Sequence, residues 1–165
     1  MQFLTAKSLL YIRILLHIAV SYFLIHNPEN VSTAGFVILL AQAVQVPILH
    51  LTQANPLISF ISIFLGITAL ADLVPLMAEN WTHFETLVPV RLFAFFLLVA
   101  YSYFVPTSVL SNSLTVTYAM FEIWCNFLIY NNLRDEKFYR MKKYVEDHAG
   151  EIRQAQDERI HVIED

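Results

Sequence analysis

The chain has 165 residues, of which 57% are hydrophobic and only 15% charged, and its mean hydropathy is +0.54. Soluble domains usually contain about 45–50% apolar and about 25% charged residues, and a small domain has too much surface to hide such an excess of apolar side chains. The composition therefore excludes an ordinary soluble domain. The net charge of −4 gives no reason to expect contact with nucleic acid. We expect a protein embedded in the lipid bilayer.

The Lys and Arg residues divide the chain into two parts. Only three of the ten lie within residues 1–133, and the other seven lie within 134–165. We therefore predict a transmembrane helical bundle over 1–133 and a charged tail, partly helical, over 134–165. Basic residues crowd the end of the last apolar segment, and basic flanks stay on the cytosolic side of membranes, so we expect a cytosolic C-terminus.

Five apolar segments are candidates for membrane spans: 9–25, 34–51, 57–78, 87–105 and 114–131. A span needs roughly 20 mainly apolar residues, and lipid offers no hydrogen-bond partners to the backbone, so the segments must be helical. The first lacks the features of a cleaved signal peptide and is expected to be retained. The second segment is short and polar. It is the segment most expected to be re-entrant, that is, to enter and leave the membrane on the same side.

The fold class predicted from these segments is all-α, a multi-spanning transmembrane helical bundle with four to five full spans and a charged C-terminal helix. Three prolines, Pro47, Pro75 and Pro89, fall inside candidate spans. Proline removes a backbone donor and breaks helix interiors, so kinks or early helix ends are expected there. An odd number of spans would put the N-terminus in the lumen, and an even number would put it in the cytosol; both alternatives stay open.

Four ionisable side chains interrupt the apolar segments, namely Arg13, Asp72, Arg91 and Glu122. Ionisable residues inside a membrane mark candidate functional sites. Asp72 lies near the end of the third segment and Arg91 near the start of the fourth, so both should lie roughly 6–9 Å below the same membrane surface at 1.5 Å per residue. A charge-assisted pair across this hairpin is geometrically easy. The pair would either clamp the hairpin or bind an ion or a lipid headgroup.

Glu122 lies in the middle of the fifth segment, where no basic residue is evidently at its depth. Either it is a neutral acid bonded within the bundle, or it is a carboxylate that binds a proton or cation; Arg13 or Arg91 could also reach it. Residues three or four apart share one face of a helix, which groups Arg13 with His17 on the first segment and Glu122 with Asn126 on the fifth. The candidate site residues are Asp72, Arg91, Glu122, Asn126, Arg13 and His17.

The sequence contains no recognisable catalytic set. The histidines do not occur at metal-ligand spacing, three glycines are too few for a phosphate-binding loop, and Cys125 is the single cysteine. We expect Cys125 to be a small buried hydrophobe. No enzymatic activity, cofactor or metal is expected, and a lipid-modifying enzyme is the third alternative behind two non-enzymatic ones.

Three motifs resemble those of the fungal Ilm family, whose members are called "increased loss of mitochondrial DNA" proteins. They are DLVPL at 72–76, VPVRL at 88–92 and FEIWCNFLIYNNLRDEK at 121–137, and LAQAVQVP at 40–47 is similar and collinear upstream. The resemblance implies a multi-pass membrane protein of the endoplasmic reticulum with a genetic link to mitochondrial DNA maintenance. It brings no catalytic residues. Family tails can be long and acidic, whereas this tail is short and mixed in charge.

Two functional hypotheses follow. The first is a non-enzymatic subunit or scaffold of the endoplasmic reticulum membrane with a membrane-protein partner, whose loss harms mitochondrial DNA indirectly. The alternative is a small conduit for an ion or a lipid that uses Glu122, Asp72 and Arg91.

Overall fold

The computed structural model describes residues 5–53 and 55–150, and the regular secondary structure within them is helical. The helices are α1 (Ala6–His26), α2 (Pro28–Ser32), α3 (Gly35–Val44), α4 (Pro56–Met77), α5 (Trp81–Phe104) and α6 (Ser113–Asp147). Among the described residues, α1, α4 and α5 are long and apolar enough to cross a membrane. The predicted all-α class with transmembrane helices is confirmed, while the number of spans stays a prediction. The division into 1–133 and 134–165 also stays a prediction, and residues 151–165 of that tail lie outside the described residues.

The four long helices begin where the sequence supplies a capping side chain. The side-chain oxygens of Thr5, Asn55, Asn80 and Asn112 accept hydrogen bonds from backbone N–H groups in the first turns of α1, α4, α5 and α6. These N–H groups have no partner inside the helix, so a cap removes the cost of leaving them unpaired. The cap at Asn80 starts α5 six residues before the predicted segment 87–105.

Two of the three internal prolines do not end a helix. Pro75 lies inside α4 and Pro89 inside α5, and both helices continue past them. Pro47 instead follows the end of α3, where Gln45 has a left-handed backbone conformation with φ of 59°. The prediction of an early helix end therefore holds only for the second apolar segment.

That second segment, 34–51, forms only the ten-residue helix α3. At 1.5 Å per residue α3 is about 15 Å long, roughly half the thickness of the hydrocarbon layer. The irregular chain after it is held against the start of α6, because Ser113 donates its backbone N–H to the Pro47 carbonyl (3.0 Å) and its Oγ accepts from the Leu49 N–H (3.0 Å). Such pairing satisfies polar backbone that lipid could not.

The start of α1, the turn between α4 and α5 and the second half of α6 lie at one end of the bundle. The Ala6 N–H donates to Oε1 of Glu136 (2.8 Å), and Lys7 Nζ donates to Oε1 of Glu79 (2.9 Å). The Lys7 ammonium lowers the pKa of the Glu79 carboxyl, so this pair remains ionised at neutral pH. We call this end of the bundle, defined by Lys7, Glu79, Glu85, Lys137 and Arg140, the charged end.

The packing that positions the interior lies between α1, α4, α5 and α6. One apolar cluster near the charged end draws from all four helices and consists of Ala6, Leu10, Ile14, Ala69, Leu76, Phe84, Val88, Ile129 and Leu133. Farther along, Ser21 and Ser62 bond reciprocally, each hydroxyl donating to the other residue's carbonyl at 2.8 and 2.6 Å. Small residues let membrane helices approach closely, and this contact brings α1 against α4.

Candidate functional site

Five ionisable side chains from four helices form one continuous buried set, which we call the charge string: Arg91, Asp72, Arg13, Glu122 and His17. α1 contributes Arg13 and His17 one turn apart, so both face the interior. α4 contributes Asp72, α5 contributes Arg91, and α6 contributes Glu122. The two arginines alternate with the two carboxylates along the string, and His17 lies at one end.

Asp72 holds one end of the string and is bonded by two arginines. Arg91 forms a bidentate pair with it, Nη1 to Oδ2 and Nη2 to Oδ1, both at 2.8 Å. Arg13 Nη1 donates to the same Oδ2 from the other side. Because the two guanidinium groups reach Asp72 from different helices, the carboxylate joins α1, α4 and α5 at one point. Bidentate pairing fixes direction as well as distance.

Glu122 forms the next junction. Its Oε2 accepts three hydrogen bonds, from Arg13 Nε (3.2 Å), from Arg13 Nη2 (2.9 Å) and from the side-chain amide of Asn126 (2.8 Å). That amide also donates to the Glu122 backbone carbonyl (2.7 Å), which fixes Asn126 on the same turn of α6. Oε1 has no hydrogen-bond partner among the described residues, although His17 Nε2 lies only 2.7 Å from it.

His17 closes the string at the interface of α1 and α6. Its Nδ1 lies 2.8 Å from the backbone carbonyl of Arg13, four residues earlier on α1. Its Nε2 lies 3.3 Å from the Tyr118 hydroxyl as well as 2.7 Å from Oε1 of Glu122. The His17 and Tyr118 rings meet edge to face at 6.0 Å, and Tyr118 in turn meets the Phe95 ring of α5 at 5.7 Å.

The string is almost sealed from its surroundings. Arg13, His17, Asp72 and Glu122 are each no more than 5% exposed, whereas the Arg91 side chain is 23% exposed. Buried charges are tolerated only when they are paired and hydrogen-bonded. The alternation of two arginines with two carboxylates satisfies this condition, and Arg91 marks the one point at which the string approaches the surface of the bundle.

The structure brings all six sequence-predicted candidates, Asp72, Arg91, Glu122, Asn126, Arg13 and His17, into this one set. Whether they serve a function beyond folding stays a prediction. Sequence reasoning did not find the central place of Arg13, which bridges the two carboxylates, or the contact of Tyr118 with His17. The available signal was depth, since Arg13 lies seven residues into α1 from the same end at which Asp72 lies five residues before the end of α4.

The contacts within this set are ion pairs and hydrogen bonds between side chains. Among residues 5–53 and 55–150, no group of three or more His, Cys, Asp or Glu side chains is placed to hold a metal ion. Cys125 is buried, as its apolar surroundings in the sequence predicted. Two acceptors of the set, Oε1 of Glu122 and Oδ1 of Asn126, have no hydrogen-bond partner among the described residues.

The order of motifs along these helices matches a known family. The sequence profile described as "Increased loss of mitochondrial DNA protein 1" matches residues 4–110, which is well over half of the chain and runs from α1 through α5. The chain belongs to this family. Its name links the Ilm1 family to loss of mitochondrial DNA, and the match contains four members of the charge string, namely Arg13, His17, Asp72 and Arg91.

Two Ilm1 relatives extend the similarity beyond α5. "Protein ILM1" of Saccharomyces cerevisiae is 29% identical over 143 residues, which cover 86% of this chain and 70% of the relative. "Protein ilm1" of Schizosaccharomyces pombe is 26% identical over 127 residues, which cover 75% of this chain and 79% of the relative. No solved structure matches the chain.

Proposed function

We propose that this Ilm1-family chain is a non-enzymatic membrane protein of the endoplasmic reticulum that acts as a subunit or scaffold, and that its loss harms mitochondrial DNA indirectly. The family name supports the link to mitochondrial DNA. The observation that carries the scaffold role is an exposed apolar surface on α6, at the charged end of the bundle.

That surface lies on the α6 extension, residues 134–147. Glu85, near the start of α5, forms ion pairs with Lys137 (2.6 Å) and Arg140 (3.3 Å). Lys137 and Arg140 therefore lie level with the first turns of α5, just before its apolar part begins. The following turns therefore lie at or beyond the edge of the hydrocarbon layer. At 1.5 Å per residue the extension adds about 20 Å to α6.

Three side chains, Phe138, Met141 and Val145, form an apolar stripe along the extension at spacings of three and four residues. They are 67%, 62% and 53% exposed. An exposed apolar patch rimmed by charges marks an interaction site, and this spacing is the one through which one helix binds another. The occupant we propose is a helical segment of a partner membrane protein.

A substitution in the apolar stripe tests the scaffold role. Changing Phe138, Met141 and Val145 together to serine should abolish recovery of the partner by cross-linking in mild detergent and also abolish retention of mitochondrial DNA in a yeast strain that lacks its own relative. Protein level should not change, because more than half of each of the three residues is exposed. Tyr139→Ser is the matched control, since Tyr139 is 64% exposed on another face of the same helix.

Retention of mitochondrial DNA by the triple variant at normal protein level would refute the proposed role of the stripe. A stripe variant that lost its lipid association instead of its partner would assign the surface to the membrane.

The proposed orientation places the charged end in the cytosol. Lys7 shares that end with the basic residues of the α6 extension, while residues 27–55 and 105–112, which connect the helices at the opposite end, contain no Lys or Arg. A cysteine introduced at Val145 should react with a membrane-impermeant maleimide in sealed microsomes, and one introduced at Val109 should react only after the membrane is opened. The native Cys125 is buried and should contribute little background.

A conduit for an ion or a lipid headgroup is the second candidate. Two observations favour it: the partial exposure of Arg91 at one end of the charge string, and the unpaired Oδ1 of Asn126 beside Glu122. In this case Glu122→Gln should leave protein level unchanged and abolish activity in the same yeast strain. Full activity of that variant would show that the function does not need a carboxylate at position 122, and this result would refute the conduit.

A further inference from the structure

His17 presents both of its ring nitrogens to acceptors. The Arg13 carbonyl oxygen, 2.8 Å from Nδ1, can only accept a hydrogen bond, so Nδ1 carries a hydrogen. In a neutral imidazole the other nitrogen is then bare. Yet Nε2 lies 2.7 Å from Oε1 of Glu122, an oxygen of a carboxyl group. Two bare atoms with lone pairs would repel at that distance.

A proton between Nε2 and Oε1 removes the conflict. We propose that His17 and Glu122 together form a binding site for one exchangeable proton. The proton-bound pair is either an imidazolium facing a carboxylate or an imidazole facing a carboxylic acid, which differ only in the position of the same proton. This site does not depend on the scaffold role proposed above.

The remaining bonds of Glu122 explain why the ligand is a proton rather than a larger cation. Oε2 is already occupied by three N–H donors, two from Arg13 and one from Asn126. Only Oε1 is open, and it faces a single nitrogen. A metal ion needs several ligands and would lie against the Arg13 guanidinium, whereas a proton needs only the two atoms present.

Tyr118 supplies a partner for the state without the proton. Its hydroxyl lies 3.3 Å from Nε2 and can donate to a bare nitrogen. When the proton leaves to water, Nε2 exchanges Glu122 for Tyr118, and both of these partners belong to α6. Binding and release of the proton therefore change how α1 is bonded to α6 without breaking the contact between them.

The surrounding charges come from every helix packed against the pair. α1 contributes Arg13, α4 contributes Asp72 and α5 contributes Arg91. The titratable groups of α6 near the pair are the Tyr118 hydroxyl and the Cys125 thiol. Two arginines and two carboxylates cancel, so the string has no net formal charge without the proton and a charge of +1 with it. Burial disfavours this added charge, whereas the adjacent Glu122 carboxylate favours it, and the two effects oppose each other at the site.

Two measurements on the full chain in lipid nanodiscs test the proposal. Nuclear magnetic resonance of nitrogen-15-labelled histidines reports the protonation of the His17 ring nitrogens. Infrared difference spectra report the protonation of the Glu122 carboxyl. His17→Gln identifies the His17 signals. As the pH is raised, one proton should leave the pair, from Nε2 or from the carboxyl, while Nδ1 keeps its hydrogen. A bare Nδ1, no extra proton at the acid end, or a proton still bound at the alkaline end would each overturn the proposal.

Two variants separate this site from a merely structural contact. Glu122→Gln should lower the proton affinity of His17 roughly 10- to 1000-fold, the range expected for loss of an adjacent opposite charge. Tyr118→Phe should raise it, since the bare form loses its donor. Glu85→Gln, a change at the charged end, should have no effect. If Glu122→Gln does not fold, the Tyr118→Phe shift decides, and an unshifted titration in that variant refutes the exchange of partners.

Discussion

Replacing Arg13 by glutamine should be the most disruptive single change in the charge string. Arg13 is the only member bonded to both carboxylates, through Nη1 to Asp72 and through Nε and Nη2 to Glu122. Glutamine keeps much of the length of the side chain but removes its charge and most of its donors. Asp72 would keep Arg91, whereas Glu122 would lose both of its guanidinium donors and keep only the Asn126 amide and the nearby His17.

The size of the effect follows from burial. The Arg13 side chain is 6% exposed, and those of Asp72 and Glu122 are 3% and 0% exposed. Removing one partner of a buried ion pair costs about 3–5 kcal/mol, because the other charge stays in the interior without compensation. That corresponds to a change of roughly 150- to 5000-fold in the unfolding equilibrium, at 1.36 kcal/mol for each factor of ten.

Reversible unfolding by SDS in mixed micelles, followed by tryptophan fluorescence, would measure this free energy. Lys7→Gln is the matched control, because Lys7 also lies on α1 and also pairs with a carboxylate, Glu79, but both side chains are largely exposed. Exposed ion pairs contribute little, so this control should unfold like the native chain. Equal stability of the two variants would refute the idea that the string holds α1 in the bundle.

Further changes should distinguish the string from simpler arrangements, all measured by the same SDS unfolding. Exchanging the charges of Asp72 and Arg91 should not restore the stability lost in Asp72→Asn, because the introduced guanidinium would face Arg13; restoration would indicate an isolated two-residue clamp. Gly66→Ala should leave the unfolding free energy unchanged or raise it by up to about 1 kcal/mol, since a Cβ there makes only ordinary contact at 3.6 Å; a marked loss would contradict the packing of α1 on α4. Ser62→Leu should lower it by about 1–3 kcal/mol, because the site is fully buried, and an unchanged value would contradict the same packing.

Local features of the fold could be predicted from the sequence because they depend on neighbouring residues. The ends of α1 and α4 lie within a few residues of the predicted segments 9–25 and 57–78. The segments 87–105 and 114–131 marked the apolar parts of α5 and α6, but both helices continue into polar sequence. These polar parts of α5 and α6 are stabilised by polar contacts instead of apolar packing. The contacts are the helix cap at Asn80 and the ion pairs of Glu85 with Lys137 and Arg140.

The candidate site was predictable only in part, for a reason of topology. Asp72 and Arg91 are 19 residues apart on consecutive helices, so their depth could be compared across one short turn. Arg13 and Glu122 are 109 residues apart. Their relative depth depended on whether segment 34–51 crosses the membrane, and the helix that this segment forms, α3, has only ten residues. With the starts of α1 and α5 at the same end, Arg13 falls level with both carboxylates.

The long separation between Arg13 and Glu122 has a consequence for synthesis. Arg13 enters the membrane when neither carboxylate has yet been made, and an unpaired arginine inside a membrane helix costs up to about 2.5–3.5 kcal/mol on translocon scales, the value for a helix centre. Asp72 supplies the first counter-charge after 59 more residues, and Glu122 the second only after 109. A chain interrupted before Asp72 would therefore keep the Arg13 charge without either of its carboxylate partners.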